Sequence, residues 1–174
     1  MIVAIDFGIT NTDVALSNKS QYKFFSIPSK NANESFIDEI ISLVDIDITE
    51  ISQIVVTGGK SNELNESFKG VNLTKISETD AIGYGTKEIY KIENEPFITL
   101  SCGTGTACIH HQDGQFSYIG GIAVGGGTIS GLSKVILDSC SLEEMTDLAL
   151  KGNRKNIDLL IGDVVNEIGV LNSN

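Results

Sequence analysis

The stretch IDFGITNTDVAL, residues 5–16, ends one apolar run on an acid, turns through glycine and hydroxyl residues, and enters a second apolar run. Two structures suit it. One is a plain β-hairpin, with Gly8 and Asn11 serving the turn. The other is a loop whose backbone holds phosphate, because glycine lets the chain approach oxygens closely and successive N–H groups form an anion nest. These residues alone leave both readings open.

A second copy of the opening weighs on the choice. FITLSCGTGTACIHHQDGQFSYIGG, residues 97–121, repeats the order apolar strand, Gly/Thr turn, strand, Asp-Gly turn, strand. Set against residues 2–27 at an offset of 95, Ser101 falls on Asp6 and Gly103 on Gly8. A repeat of that length implies a duplicated domain, not a solenoid. Two like lobes facing one another form a cleft, where ligands tend to bind. The turn residues Gly8, Ile9, Thr10 and Asn11, with Gly103, Thr104 and Gly105, are then expected to bracket a polyphosphate. Asp6 is placed to hold Mg2+ through water, since this hard cation takes oxygen ligands and keeps its hydration.

Between the copies, NESFIDEIISLV has apolar residues at Phe36, Ile37, Ile40, Ile41 and Val44, a helical spacing with Asn33 as N-cap. QIVVTGG and VNLTKI read as buried strands. SETDAIGYGTKEIYKI reads as a helix with a capping box from Ser77 and Asp80. The first copy is therefore a three-strand meander followed by helix, strand, helix, strand, helix. After the second meander come GGGTISGLSKVILD, LEEMTDLAL and NIDLLIGDVVNEI, all helix-like, with no counterpart of the two later strands. The expected division is residues 1–94 as one lobe and 95–174 as an incomplete second lobe, either a fragment or a degenerate copy.

Composition narrows the partners. Of 174 residues 41% are apolar, enough for a core, and the net charge is -11. No basic run offers a footprint for nucleic acid or an anionic membrane surface. A small anion is still accessible, because backbone amides bind it without net positive charge. No apolar segment has bilayer-spanning length, and MIVAID meets an acid too early for a signal peptide, so the cytoplasm is the expected compartment. Cys102, Cys108 and Cys140 contain no CxxC pair, which suggests neither a disulfide framework nor a zinc site.

Five glycines fall within residues 120–127, and Gly125 to Gly127 run directly into a helix carrying Ile129, Leu132, Val135 and Ile136. Such a start offers amides and the positive end of the helix dipole to an anion. The alternative is a tight turn, with Gly120 and Gly121 at a bulge. Glu78 could accept a hydroxyl proton in a phosphoryl transfer, or simply sit well in the first turn of its helix. His110 and His111 are adjacent in a strand, point to opposite faces, and are expected to be structural.

These segments together resemble the actin-like ATPase superfamily of small-molecule kinases, an α/β, ribonuclease H-like fold. Within it they resemble the type II (Fumble) pantothenate kinases. The resemblance rests on IDFGITNT, VVTGG, SETDAIGYG, SCGTGTACI, IGGIAVGGGTISGL and MTDLALKGNRKNIDLLIGDV. It implies ATP and Mg2+ as cofactors, with nucleotide contacts at Asp6, Gly8 to Asn11, Gly103 to Gly105, and Gly126, Gly127, Thr128, Ile129 and Ser130. It implies Glu78 as the catalytic carboxylate for pantothenate, Tyr118 and Gly121 near the substrate, and a homodimer. The chain departs from the family pattern at Asp13, where the family's loop runs on to a lysine, and at Tyr118, where the family carries an arginine. The alternative function is a non-catalytic nucleotide- or coenzyme-binding module. A further alternative is the hydantoinase-like branch, which TNTD also suits.

Overall fold

A computed structural model describes residues 1–18, 21–59, 61–138 and 141–158. It divides into two compact units, Met1–Ile129 and Ser130–Asn174.

The first unit opens with β1 (Ile2–Phe7), β2 (Asn11–Asn18) and β3 (Gln21–Pro28), an antiparallel meander. Alternation sets the faces. Val3, Ile5 and Phe7 are buried, while Ile2 and Asp6 look outward. Helix α1 (Glu34–Leu43) starts where Asn33 Oδ1 accepts the Phe36 amide at 2.9 Å. Its stripe of Phe36, Ile37, Ile40 and Ile41 shares one core with Val3, Ile5, Phe7, Val14 and Leu16. Burying each such side chain is worth about 1.5–3 kcal/mol, which is what fixes the helix to that face.

Strand β4 (Gln53–Thr57) pairs parallel with β1, and β6 (Val71–Lys75) pairs parallel with β4. The middle helix expected between them is absent from the described residues. In its place are a 3-10 turn at Ser61–Glu63 and a two-residue strand, β5 (Ser67–Phe68), antiparallel to β6. Ser61, Asn62 and Asn65 compete for backbone hydrogen bonds and favour turns, while Leu64 and Phe68 are held in the core. The six-stranded sheet thus runs β3-β2-β1-β4-β6-β5.

Helix α2 (Glu78–Tyr90) leads to the second meander, β7 (Phe97–Cys102), β8 (Thr106–Gln112) and β9 (Gln115–Ile122). β7 lies 95 residues after β1 from end to end. Asp113 and Gly114 both have positive φ (51° and 76°), the hairpin geometry that Asp-Gly favours. Ser77 Oγ accepts the Asp80 amide at 3.0 Å and donates to the Asp80 carboxylate at 2.7 Å. Only half of the expected capping box forms, because Asp80 meets the serine hydroxyl and not its backbone. Helix α3 (Gly126–Ile136) begins at the glycine run.

In the second unit, α4 (Leu142–Lys151) carries a full capping box from Ser141 and Glu144, and a 3-10 turn covers Arg154–Asn156. Nearly all of the helix expected over residues 156–168, and Cys140, lie outside the described residues.

Candidate functional site

The first turn is closed by glycine and clamped by a serine. A Cβ on Gly8 would stand 2.4 Å from the Asn11 carbonyl oxygen, so a side chain there would open the turn. Ser29, just after β3, donates from Oγ to the Gly8 carbonyl at 2.5 Å and from its amide to the Thr10 carbonyl at 3.0 Å. Its hydroxyl also lies 3.0 Å from that of the fully buried Thr12. Sequence reasoning missed Ser29, which carries no glycine or charge to draw notice.

The second turn is held differently. The amides of Gly126 and Gly127 donate to the carbonyls of Gly103 (2.8 Å) and Thr104 (3.2 Å). These amides hold the turn, and do not stand open to an anion as the glycine run suggests. The glycines are there for close approach. A Cβ on Gly125 would meet the Gly105 and Thr104 carbonyl oxygens at 2.6 and 2.7 Å, and one on Gly127 would meet Thr104 Cγ2 at 2.6 Å. Thr128 Oγ1 donates to the Ala123 carbonyl at 3.0 Å, completing the helix start. Ile129 continues that turn, and Ser130 belongs to the second unit.

The two turns meet. Thr10 Oγ1 and Thr104 Oγ1 lie 3.0 Å apart, though 94 residues separate them. They are not the same length. The first spans residues 8–11 between the paired Phe7 and Thr12, the second residues 103–105 between Cys102 and Thr106. That one-residue difference shifts the cross-strand partners, so Asp6 faces Asp13 whereas Ser101 faces Ala107.

Register places Ser26, Asp13, Asp6 and Thr57 in one row across β3, β2, β1 and β4, with Phe24, Ala15, Ala4 and Val55 in the next. Both rows line an open cleft of about 670 Å³ on the face away from α1, bordered also by Ile76, Ala81 and Tyr84. Glu78, the first residue of α2, reaches this row electrostatically. Partial burial raises the Asp6 carboxyl above its ordinary value, and the charges of Glu78 and Asp13 raise it further. Gly58, at φ +88°, lets the end of β4 lie against Asp6; a Cβ there would stand 2.7 Å from Asp6 Oδ1. Thr57 Oγ1 is buried with no hydrogen-bond partner.

These features fit Mg-nucleotide in donor chemistry. The row offers hard oxygen donors, an orphaned hydroxyl, and a carboxylate whose ionised form a cation would favour. Among the described residues no set of three His, Cys, Asp or Glu side chains is arranged to hold a metal. A Mg2+ held by one or two carboxylates and waters needs no such set.

The remaining expected residues are placed plainly. Tyr118, 60% exposed, precedes a bulge at Ile119, where Cys108 pairs with Gly120 and Ile109 with Tyr118. Gly120 has φ 157°, and a Cβ on Gly121 would stand 2.4 Å from the Tyr118 hydroxyl oxygen. The irregularity thus falls at Ile119, one residue before the two glycines, which pair in register with Cys108 and Ala107. His111 is buried, its ring 4.7 Å from that of Phe97 and 5.0 Å from that of Phe116, as a structural histidine should be. No helix among the described residues is long and apolar enough to cross a membrane.

Duplicated three-strand meanders, two touching turns and a glycine-led helix define an actin-like ATPase fold. Solved structures agree on the fold. An activator of 2-hydroxyisocaproyl-CoA dehydratase from Clostridium difficile, with bound ADPNP, superposes with TM-score 0.63 at 16% identity, over 87% of this chain and 57% of that one. ROK hexokinase from Thermus thermophilus gives TM-score 0.51 at 11% identity, over 88% and 70%. The Fumble family profile matches residues 8–171, and the chain belongs to that family. Type II pantothenate kinase from Bacillus anthracis is 33% identical over 93% of this chain and 58% of the relative. That from Staphylococcus aureus is 29% identical over 92% and 58%. The chain thus spans well under two thirds of the length of the curated relatives it matches.

Proposed function

We propose that this chain carries the phosphate-binding and proton-accepting half of an ATP-dependent small-molecule kinase whose acceptor is pantothenate. The meeting of Thr10 and Thr104 carries the reading, because it sets the two Gly/Thr turns side by side, an arrangement that suits a shared polyphosphate. Bound ATP supplies the phosphoryl group. Asp6 would hold Mg2+ through water, and the turns would orient the phosphates. Glu78 accepts the proton of the attacking primary hydroxyl as its oxygen bonds to phosphorus and ADP departs. Tyr118 and Gly121 border the acceptor on the family resemblance. A cytoplasmic homodimer belongs to the same reading.

The test is coupled ADP release with pantothenate, comparing the parent with Glu78→Gln. Loss of roughly 10²–10⁴ in kcat with unchanged Mg-ATP binding supports Glu78 as the base. Equal rates remove it.

Asp13 favours a second reading, a nucleotide-binding module without turnover. A carboxylate directly across from Asp6 repels phosphate where a cation would attract it. Thermal stabilisation by Mg-ATP with no ADP release would select this reading.

A further inference from the structure

In each copy of the duplicated meander the carbonyls of the turn are tied back by another segment, and the two ties differ. At the offset of 95, Gly8 corresponds to Gly103. The Gly103 carbonyl accepts from the Gly126 amide at 2.8 Å, and the Thr104 carbonyl from the Gly127 amide at 3.2 Å. In the first copy both ties come from one residue, Ser29. Its Oγ donates to the Gly8 carbonyl at 2.5 Å and its amide to the Thr10 carbonyl at 3.0 Å.

Proton counting gives these hydrogen bonds a direction. A hydroxyl carries one proton, and a carbonyl only accepts. The Ser29 proton goes to Gly8, so the Thr12 hydroxyl, 3.0 Å from Ser29 Oγ, donates to it. Thr12 is 0% exposed, so the Ser29 rotamer is set from the buried side of β2.

Across a planar trans peptide the carbonyl and the next residue's N–H point in opposite directions. Holding the Gly8 carbonyl towards Ser29 therefore turns the Ile9 amide away from it. Holding the Gly103 carbonyl towards Gly126 does the same for the Thr104 amide. Among the described residues neither amide has a hydrogen-bond partner, and Ile9 is 84% exposed. A turn that merely joined two strands could leave its carbonyls to water. Tying them back at matched positions in both copies orients the peptide units.

We propose that Ser29 is a positioning residue for the first phosphate turn, holding the Gly8 peptide so that the Ile9 amide faces a phosphate oxygen, as the start of α3 holds Thr104 in the second turn. The proposal rests on the phosphate-binding part of the function proposed above. Ser29 acts through the Gly8 carbonyl and touches no phosphate itself.

The test titrates the full 174-residue chain with magnesium tripolyphosphate, which carries no nucleoside, and follows the backbone amide resonances. In the parent the Ile9 and Thr104 amides shift together and saturably. Ser29→Ala weakens binding roughly tenfold, as loss of one hydrogen bond to a charged group would, and shrinks the Ile9 shift at saturation while that of Thr104 remains. Ser29→Thr keeps the hydroxyl and restores both. Thr12→Val, isosteric at a buried site, removes the donor to Ser29 and weakens binding in the same direction, so the outcome does not depend on the folding of Ser29→Ala. Binding with the Ile9 amide unmoved overturns the proposal, as does parent-like binding by Ser29→Ala or Thr12→Val. Those results leave the phosphate-binding reading standing. A parent that binds no tripolyphosphate overturns that reading and the proposal together.

Discussion

Thr10 and Thr104 share a hydroxyl–hydroxyl contact of 3.0 Å, the point at which the two copies of the duplicated turn touch. The bond is open to solvent, with Thr10 exposed and Thr104 half-buried, so it adds little to folding: a net hydrogen bond contributes about 0.5–1.5 kcal/mol, less where water competes. Its value lies in fixing the distance between the turns. Thr10→Val and Thr104→Val should each leave the Tm within a few degrees while weakening Mg-ATP binding several-fold. A double-mutant cycle read by calorimetric titration should show the two losses to be non-additive. Additive losses would mean that the turns act independently.

The glycines after β9 should sort by what their missing side chains would meet. Gly125→Ala drives a Cβ onto two backbone carbonyls and should cost about 1–3 kcal/mol, with loss of nucleotide binding. Gly127→Ala meets the Thr104 methyl first, which can rotate, so a smaller cost is expected. Gly131→Ala meets nothing within 4 Å and should stabilise α3 by about 0.5–1 kcal/mol. Denaturant titration of the three variants checks the order.

Much of this was legible in the sequence because periodicity and repetition are local or self-referential. The 95-residue offset located β7 to the residue, and Asn33 capped α1 as its side-chain chemistry requires. What escaped depended on facts that spacing does not encode. Whether Gly126 and Gly127 face an anion or a carbonyl is decided by how the helix start folds onto the turn. That Asp13 faces Asp6 follows from a one-residue difference in turn length. The short strand β5 exists because Phe68 needs the core, and two residues are too few to show alternation.

Asp6 should make stability depend on pH in the direction opposite to a paired carboxylate. Its folded-state value is raised, so between its ordinary value and the raised one the native state holds more proton than the unfolded chain. This contribution is fully present below the ordinary value near 3.8 and is lost as pH rises through the raised one. Asp6→Asn removes the charge, so it should raise Tm near pH 7 and give no gain near pH 3, while abolishing Mg-dependent nucleotide binding. A Tm gain independent of pH would place the effect elsewhere.

The packing of α2 on the second sheet should hinge on Gly83. A Cβ there would overlap the Phe116 ring at 2.2–2.5 Å, and that ring is also held by Tyr84 at 4.8 Å and Phe97 at 6.3 Å. Gly83→Ala should destabilise by about 1–3 kcal/mol despite alanine's better helix propensity. Phe116→Leu should partly rescue it. Chemical denaturation of the single and double variants decides the point.

Asp13→Lys is the most informative single change at the site. Asp13 stands directly across β1 and β2 from Asp6, and its charge is one of the causes that raise the Asp6 carboxyl. A lysine there replaces a like charge with an opposite one, which should lower the Asp6 value and add a cation beside the first turn. Nucleotide affinity should rise roughly tenfold, about 1.4 kcal/mol, and fall again with added salt. Competition titration with Mg-ATP at two ionic strengths measures both. An unchanged affinity would show that Asp13 does not face the phosphates, and that the repulsion between it and Asp6 is confined to the two strands.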